Sequence, residues 1–566
     1  LEGALEEAAQ VGVIQETSRD AYAFDHALTQ QSIYEELSSR HRRRIHLAAA
    51  EALDQLPEAK RSARVTDIAR HFLEADDPVR AMRYAILAGD SAEKVFAHQE
   101  AELQYRRAVQ LAREMGDQVA LARALESLGS VLEFQSQADE ALEVSQAAAG
   151  LHRSSGDRAG EARATARVSS ALMHLGRVQD AVSRLQEMIG ELESESASPE
   201  LARLFLQLTA ILYGSGQYGA CLQTAERAVA AARAVGDAGI LAQVENYRAD
   251  VHLQGGRITD ARLGFEEALP IAEACGDLRV LAHTVQDLAL THLYGGRFSE
   301  CLTLSRRAVE LQQGIESPVM VAFALIAVGA AHFYSGRWEG ARRAIGSALD
   351  LIGSLPTSWH APIVFAYAAM VDSAEGRWAE TDESLEHIFT SEYTGHVVLP
   401  FAHLTLAERE LLQGNPASAL SRLEPFASDH SLYVTPTLPA LALAQLETGD
   451  LSAAEGTLLS AINDVASQTP LVLSDAFRVQ GIVFSRRGRH EEARGAFELA
   501  LSLARTMEYP RAEARALYEW GRVQASDGDL SEAQKQFSAA LSIFEGLGAA
   551  PEARQTRQAL GELATE

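Results

Sequence analysis

The chain has only three lysines, Lys60, Lys94 and Lys535, and three cysteines, Cys221, Cys275 and Cys301, in 566 residues. None of the lysines follows a glycine, which excludes from this chain the Gly-rich loop whose lysine reaches bound phosphates. The cysteines lack metal-ligand spacing and read as small apolar packing groups of a reducing compartment. Cationic side chains are in short supply: 50 Lys and Arg against 78 Asp and Glu give a net charge of −28. A chain so acidic repels phosphate backbones and is not expected to bind nucleic acid. The one basic run, Arg40-His41-Arg42-Arg43-Arg44, reads as a solvated helix face. No apolar run is long enough to cross a bilayer and no secretory leader pattern is present, which points to a cytoplasmic protein with no membrane partner. Neither G-x-S-x-G nor H-E-x-x-H occurs, so the chain is read as non-catalytic, with no cofactor and no metal. Aromatics make up only 6%, while Ala, Leu, Glu and Arg, all good helix formers, are abundant, and the fold class is read as all-α.

What is present is a period. Gly-plus-polar turns recur at Gly176, Gly216, Gly256, Gly296, Gly336 and Gly376, every 40 residues, and continue with small slips through Ser136 upstream and Gly414, Gly449, Gly488 and Gly528 downstream. Repeats of this length stack because a single unit cannot bury its own apolar face. Seven residues before each turn the side chain is small, as at Gly89, Gly129, Ala249, Ala289, Gly329 and Gly481, and five after it another is small, as at Ala101, Cys221, Ala261 and Cys301. Between comes a larger apolar plug such as Tyr105, Phe265, Ile345, Phe497 or Phe537. A second set of turns, Gly116-Asp117, Gly156-Asp157, Gly236-Asp237 and Gly276-Asp277, joins one unit to the next. There glycine suits a helix C-terminus and aspartate caps the following helix.

This spacing resembles the tetratricopeptide repeat (TPR), with a period of about 40 in place of the usual 34 and with the proline that commonly closes a TPR unit mostly missing. The resemblance covers almost the whole chain. It implies a TPR-like superhelical solenoid of about a dozen helical hairpins, right-handed and elongated, with longer helices as in the sensor regions of MalT-like bacterial signal-transduction ATPases. From Phe24 the text Phe-Asp-His-Ala-Leu-Thr-Gln-Gln-Ser-Ile-Tyr-Glu-Glu-Leu and then Arg42 to Leu53 resemble the junction between ATPase module and helical sensor in the STAND class, which includes large LuxR-type and cyclase-linked regulators.

Four segments follow. Residues 1–55 read as the end of a winged-helix-like module and a connecting helix, with alternating strands on either side of Ser18-Arg19-Asp20. Residues 56–76 form a linker helix, residues 77–550 the repeats, and residues 551–566 a capping helix. Because the chain opens in mid-helix on Leu1, it is expected to be a piece of a longer protein. Between Leu355 and Pro439 seven prolines interrupt the period, which falls to 38 and then 35, and shorter helices are expected there.

His252, His292 and His332 hold the same place in three consecutive units. Their helices would be roughly 10 Å apart, wide for shared ligation, so packing is preferred to a metal or a proton switch. The binding surface is expected on the concave face of the middle units, where inward positions carry Asn246 and Asp250, then His283, Gln286, Leu290, Leu293 and Tyr294, then Phe323, Ile326, Phe333 and Tyr334. An apolar, aromatic floor edged by polar groups suits a specific ligand or partner. The alternative is that a tighter superhelix, or the Pro-rich segment folded over them, buries these side chains. The resemblance implies a regulatory sensor and protein- or ligand-binding scaffold serving an upstream ATPase module or a transcriptional regulator. A stand-alone interaction adaptor is the other reading.

Overall fold

The computed structural model describes residues 2–18, 21–95, 97–135, 137–193, 198–315, 317–353, 361–391, 398–428, 431–463 and 469–564. The turn residues Arg19 and Asp20, Ser136 of the turn ladder and Pro356 lie outside these ranges. Among the described residues the fold is all-α, thirty α-helices with one two-stranded hairpin. No described helix is long and apolar enough to cross a membrane. The chain divides into two compact units, Leu1–Ser196 and Ala197–Glu566, so the division falls inside the stretch that the sequence presents as one run of repeats.

The first unit opens with the helix Glu2–Gln10 and the antiparallel strands Ile14–Ser18 and Ala21–Phe24, in which Ile14 lies opposite Phe24. The basic run starts the helix Ser39–Asp54, whose first turn is capped by the Ser38 hydroxyl accepting from the His41 amide. Arg43 pairs there with Asp76 across solvent, both side chains being at least half exposed. The linker becomes two helices, Glu58–Ser62 and Val65–Glu74, the second burying Ile68 and Phe72. Three helical hairpins follow, from Pro78 to Glu193.

Nine further hairpins, from Pro199 to Leu547, and the closing helix Ala550–Leu563 form the second unit. In both units the turns between hairpins end helices as their composition requires. Gly116 takes a left-handed φ of 70° and Asp117 then accepts a hydrogen bond from the Ala120 amide, and Asp157, Asp237 and Asp277 cap their helices in the same manner. Small residue and plug are partners within several hairpins. A methyl on Gly329 would lie 2.7 Å from Ile345, and on Gly481 2.8 Å from the Phe497 ring, so the two helices approach as closely as a missing side chain permits. In the Pro-rich segment the helices shorten, to 12 residues in Trp378–Phe389, 8 in Pro416–Leu423 and 10 in Leu438–Glu447.

Within the second unit, late hairpins return to the middle ones. A methyl on Gly296 would meet Met507 at 2.5 Å, and one on Gly336 would meet Pro510 and Leu547 at 2.7 and 2.8 Å. The turns at 507–510 and 547–551 therefore lie on the turn ladder of hairpins about 200 residues earlier in the chain. One continuous core results, reaching from Ala289 to Ala553.

Candidate functional site

The inner face of the second unit has three parts, and the sequence-predicted residues fall in two of them. At one end, Asp250 of the helix Ala238–Gln254 meets His283 and Asp287 of the helix Leu278–Tyr294. His283 Nε2 lies 3.2 Å from Asp250 Oδ2 and 2.8 Å from Asp287 Oδ2. His283 and Asp287 are four residues apart and so share one helix face. Asn246, one turn before Asp250, donates from Nδ2 to the Thr284 hydroxyl at 2.9 Å, and that hydroxyl is held in turn by the Val280 carbonyl at 2.9 Å. This buried bond sets the register of the two helices beside the triad. Tyrosines surround it: the Tyr247 ring stands edge-on to His283 at 6.3 Å and packs on Tyr213 at 5.5 Å. Gln254 Nε2 donates to the Tyr213 and Tyr433 hydroxyls at 3.2 and 3.3 Å. Burial, then the neighbouring Asp287 carboxylate, push the Asp250 carboxyl above the usual range. For His283, burial works against the charged ring, but the two carboxylates outweigh it and hold the imidazolium well above its ordinary pKa.

The middle of the face is not an open floor. Tyr294, Ile326 and Phe333 are buried, and Gln286 is buried with its Oε1 lacking a hydrogen-bond partner. Phe323 and Tyr334, partly buried, pack on the same core. Tyr334 stacks on Phe298 at 5.6 Å and stands edge-on to Tyr509 at 5.3 Å, while Phe333 stacks on Trp338 at 5.4 Å. Of the two arrangements open at the level of sequence, the closed one is found here. Late hairpins cover the rings through Met507 and Tyr509, and the Pro-rich segment adds Leu432, whose amide donates to the Gln254 carbonyl at 3.3 Å. Tyr294, Ile326, Phe333 and Tyr334 are therefore core side chains. Of the predicted set, Asn246, Asp250 and His283 build the triad end.

The other end is a charged cleft of about 630 Å³ between the helices Val398–Leu412, Leu438–Glu447, Pro470–Arg486, Pro510–Ser526 and Ala550–Leu563. Arg515 donates to Glu408 at 2.7 Å, Arg511 to Glu552 at 2.8 Å, Arg478 to Asp475 at 2.9 Å and Arg522 to Glu519 at 3.0 Å. Burial raises the Glu408 and Asp475 carboxyls, yet the guanidinium groups beside them prevail and hold both below the usual carboxylate range. Glu552 Oε2 is buried without a hydrogen-bond partner.

His252, His292 and His332 stay apart as packing residues. Each has its Nδ1 buried without a partner, and burial, then the arginine five residues on, lowers its pKa. Cys221 and Cys301 are buried free thiols, and burial pushes Cys301 up to about 12. Sequence reasoning missed Asp287, although its spacing from His283 was the available signal. It also missed Glu408 and Tyr433, which reach the face from the segment where the period slips.

Fold and face together define an all-α protein of TPR-like helical hairpins with a polar inner cleft. No protein-family model matches the chain, and no curated protein matches it. Among solved structures it is similar to a Rap protein complexed with competence and sporulation factor, at 14% identity over 68% of this chain and 98% of that one, with a TM-score of 0.40. It is similar also to the apo form of RapI, at 13% identity over 48% and 98%, with a TM-score of 0.39.

Proposed function

We propose that the chain is a non-catalytic regulatory scaffold that holds an extended peptide or protein segment in the charged cleft of the second unit. The cleft itself carries this reading: Arg478, Arg515 and Arg522 alternate with Glu408, Glu447 and Glu519 along successive helices, with Leu411, Leu443 and Tyr518 between them. A lining of both charge signs with apolar patches suits a segment bearing polar side chains and free backbone groups. Glu552 Oε2, buried and unpaired, is an acceptor suited to a donor from such a segment. Random peptides displayed on phage and selected on the full chain are expected to bind with micromolar Kd. Arg522→Glu, at a side chain 41% exposed, should weaken them at least tenfold with helicity unchanged. Failure of any peptide to prefer the wild-type chain overturns the reading.

The proposed context is the sensor region of a signal-transduction ATPase or transcriptional regulator, supported by the likeness of residues 24–53 to the junction in such proteins. A phosphate-binding loop encoded upstream of Leu1 is the expected finding in the reading frame. A start codon immediately before it would favour the stand-alone adaptor.

A further inference from the structure

We propose that Asp250, His283 and Asp287 are the three protein ligands of a divalent transition-metal site. The first argument is how this protein treats its other buried acids. Among the described residues the buried acidic side chains are Glu161, Asp250, Glu519 and Glu552. Glu161 pairs with Arg153 and Arg158, Glu519 with Arg522, and Glu552 with Arg511. Asp250 instead faces the His283 imidazole, which is shared with the Asp287 carboxylate, in place of an arginine. Two carboxylates side by side in a buried setting need a concentrated positive charge. With both carboxylates ionised, one imidazolium leaves the group a net negative charge, whereas a dication with neutral imidazole balances it.

The second argument is distance. Ligand atoms at about 2.0–2.2 Å from a tetrahedral metal lie about 3.3–3.6 Å from one another. His283 Nε2 is 3.2 and 2.8 Å from the two aspartate oxygens, and all three ligand atoms fall within 4.8 Å of one another. Side-chain rotations that bring the three ligand atoms to the tetrahedral spacing admit the ion. The ligands stand on two helix backbones rather than on loops, with their register fixed by the buried Asn246–Thr284 bond, which is the support a coordination geometry requires. Nitrogen together with carboxylate oxygen selects Zn²⁺, Co²⁺ or Mn²⁺ over Mg²⁺ and Ca²⁺. Three protein ligands leave a coordination position for water or an anionic group.

The test is calorimetric titration of the chelator-treated full chain with ZnCl₂, and with CoCl₂ while following the visible absorption of the cobalt ion. One equivalent is expected to bind, with intense tetrahedral bands for Co²⁺ and no competition from an equal concentration of Mg²⁺. His283→Gln and Asp287→Asn should each weaken that equivalent at least tenfold. Should His283→Gln fail to fold, the near-isosteric Asp287→Asn carries the comparison. Absence of binding to the wild-type chain, displacement by Mg²⁺, or equal binding by wild type and Asp287→Asn overturns the proposal.

Discussion

At the scale of single residues, a carboxylate taken out of water needs a counter-charge, and the half-buried Glu133 of the first unit finds little. Its Oε1 is buried without a hydrogen-bond partner. Burial pushes its carboxyl from 4.5 up to about 7, with Arg167 and the Ser170 hydroxyl offsetting only part of the effect. A carboxyl whose folded pKa exceeds its unfolded value favours folding in its protonated form. Its contribution is therefore intact below pH 4.5 and is lost as pH rises through about 7. Glu133→Gln should raise stability at pH 8 by about 1–2 kcal/mol and leave it unchanged at pH 4.5. Urea unfolding at the two pH values measures the difference, and an equal effect at both would place its origin in packing rather than charge. Residues of this kind are scarcely legible in a sequence, because nothing in the text around Glu133 distinguishes it from the other acids of a helix surface. Asp287 was more accessible, since its spacing from His283 announces a shared face. What no spacing shows is that Asp250, 33 positions before His283, completes the group.

At the scale of helices and turns, the text is far more explicit. The twelve hairpins follow from the turn ladder because glycine and aspartate act locally: one supplies a left-handed φ, the other an acceptor for the next amide. The small residue and its plug, 16 positions apart as in Gly481 and Phe497, likewise meet within one hairpin. Contacts made across about 200 residues leave no such local trace. The packing of Met507, Tyr509 and Pro510 on the turns of Gly296 and Gly336 is therefore what turned the expected aromatic floor into core. That contact can be isolated experimentally. Gly216 and Gly296 share the same left-handed backbone, with φ of 73° and 70°, but a methyl on Gly216 would meet nothing within 4 Å, whereas one on Gly296 would meet Met507 at 2.5 Å. Both Gly→Ala substitutions carry the same backbone strain. Gly296→Ala should cost about 1–3 kcal/mol more, the usual penalty of overpacking. Equal losses in urea unfolding would mean that Met507 does not rest on this turn.

At the scale of the whole molecule, a large core of the first unit is drawn from residues 50–171 and a large core of the second reaches from residues 289 to 553. Repeat proteins gain stability from neighbouring contacts, so a perturbation weakens the hairpins that share its core rather than the entire array. Arg511 offers a sharp perturbation. It is 6% exposed, donates to Glu552 and Glu408, and lies over the Phe333 ring at 5.9 Å. Removing it leaves Glu552 without its guanidinium in a buried setting and Glu408 with Arg515 alone, at a cost of about 3–5 kcal/mol. The reporters are already separated by the sequence, because all four tryptophans, Trp338, Trp359, Trp378 and Trp520, belong to the second unit. Tryptophan fluorescence then follows that unit alone, while circular dichroism follows helices in both. In Arg511→Ala the fluorescence midpoint should fall to lower denaturant, and the dichroism should split into an early phase that tracks the fluorescence and a late phase at the wild-type position. If dichroism and fluorescence instead shift together as one transition, the units unfold as a single cooperative body and the division at residue 196 is one of packing alone.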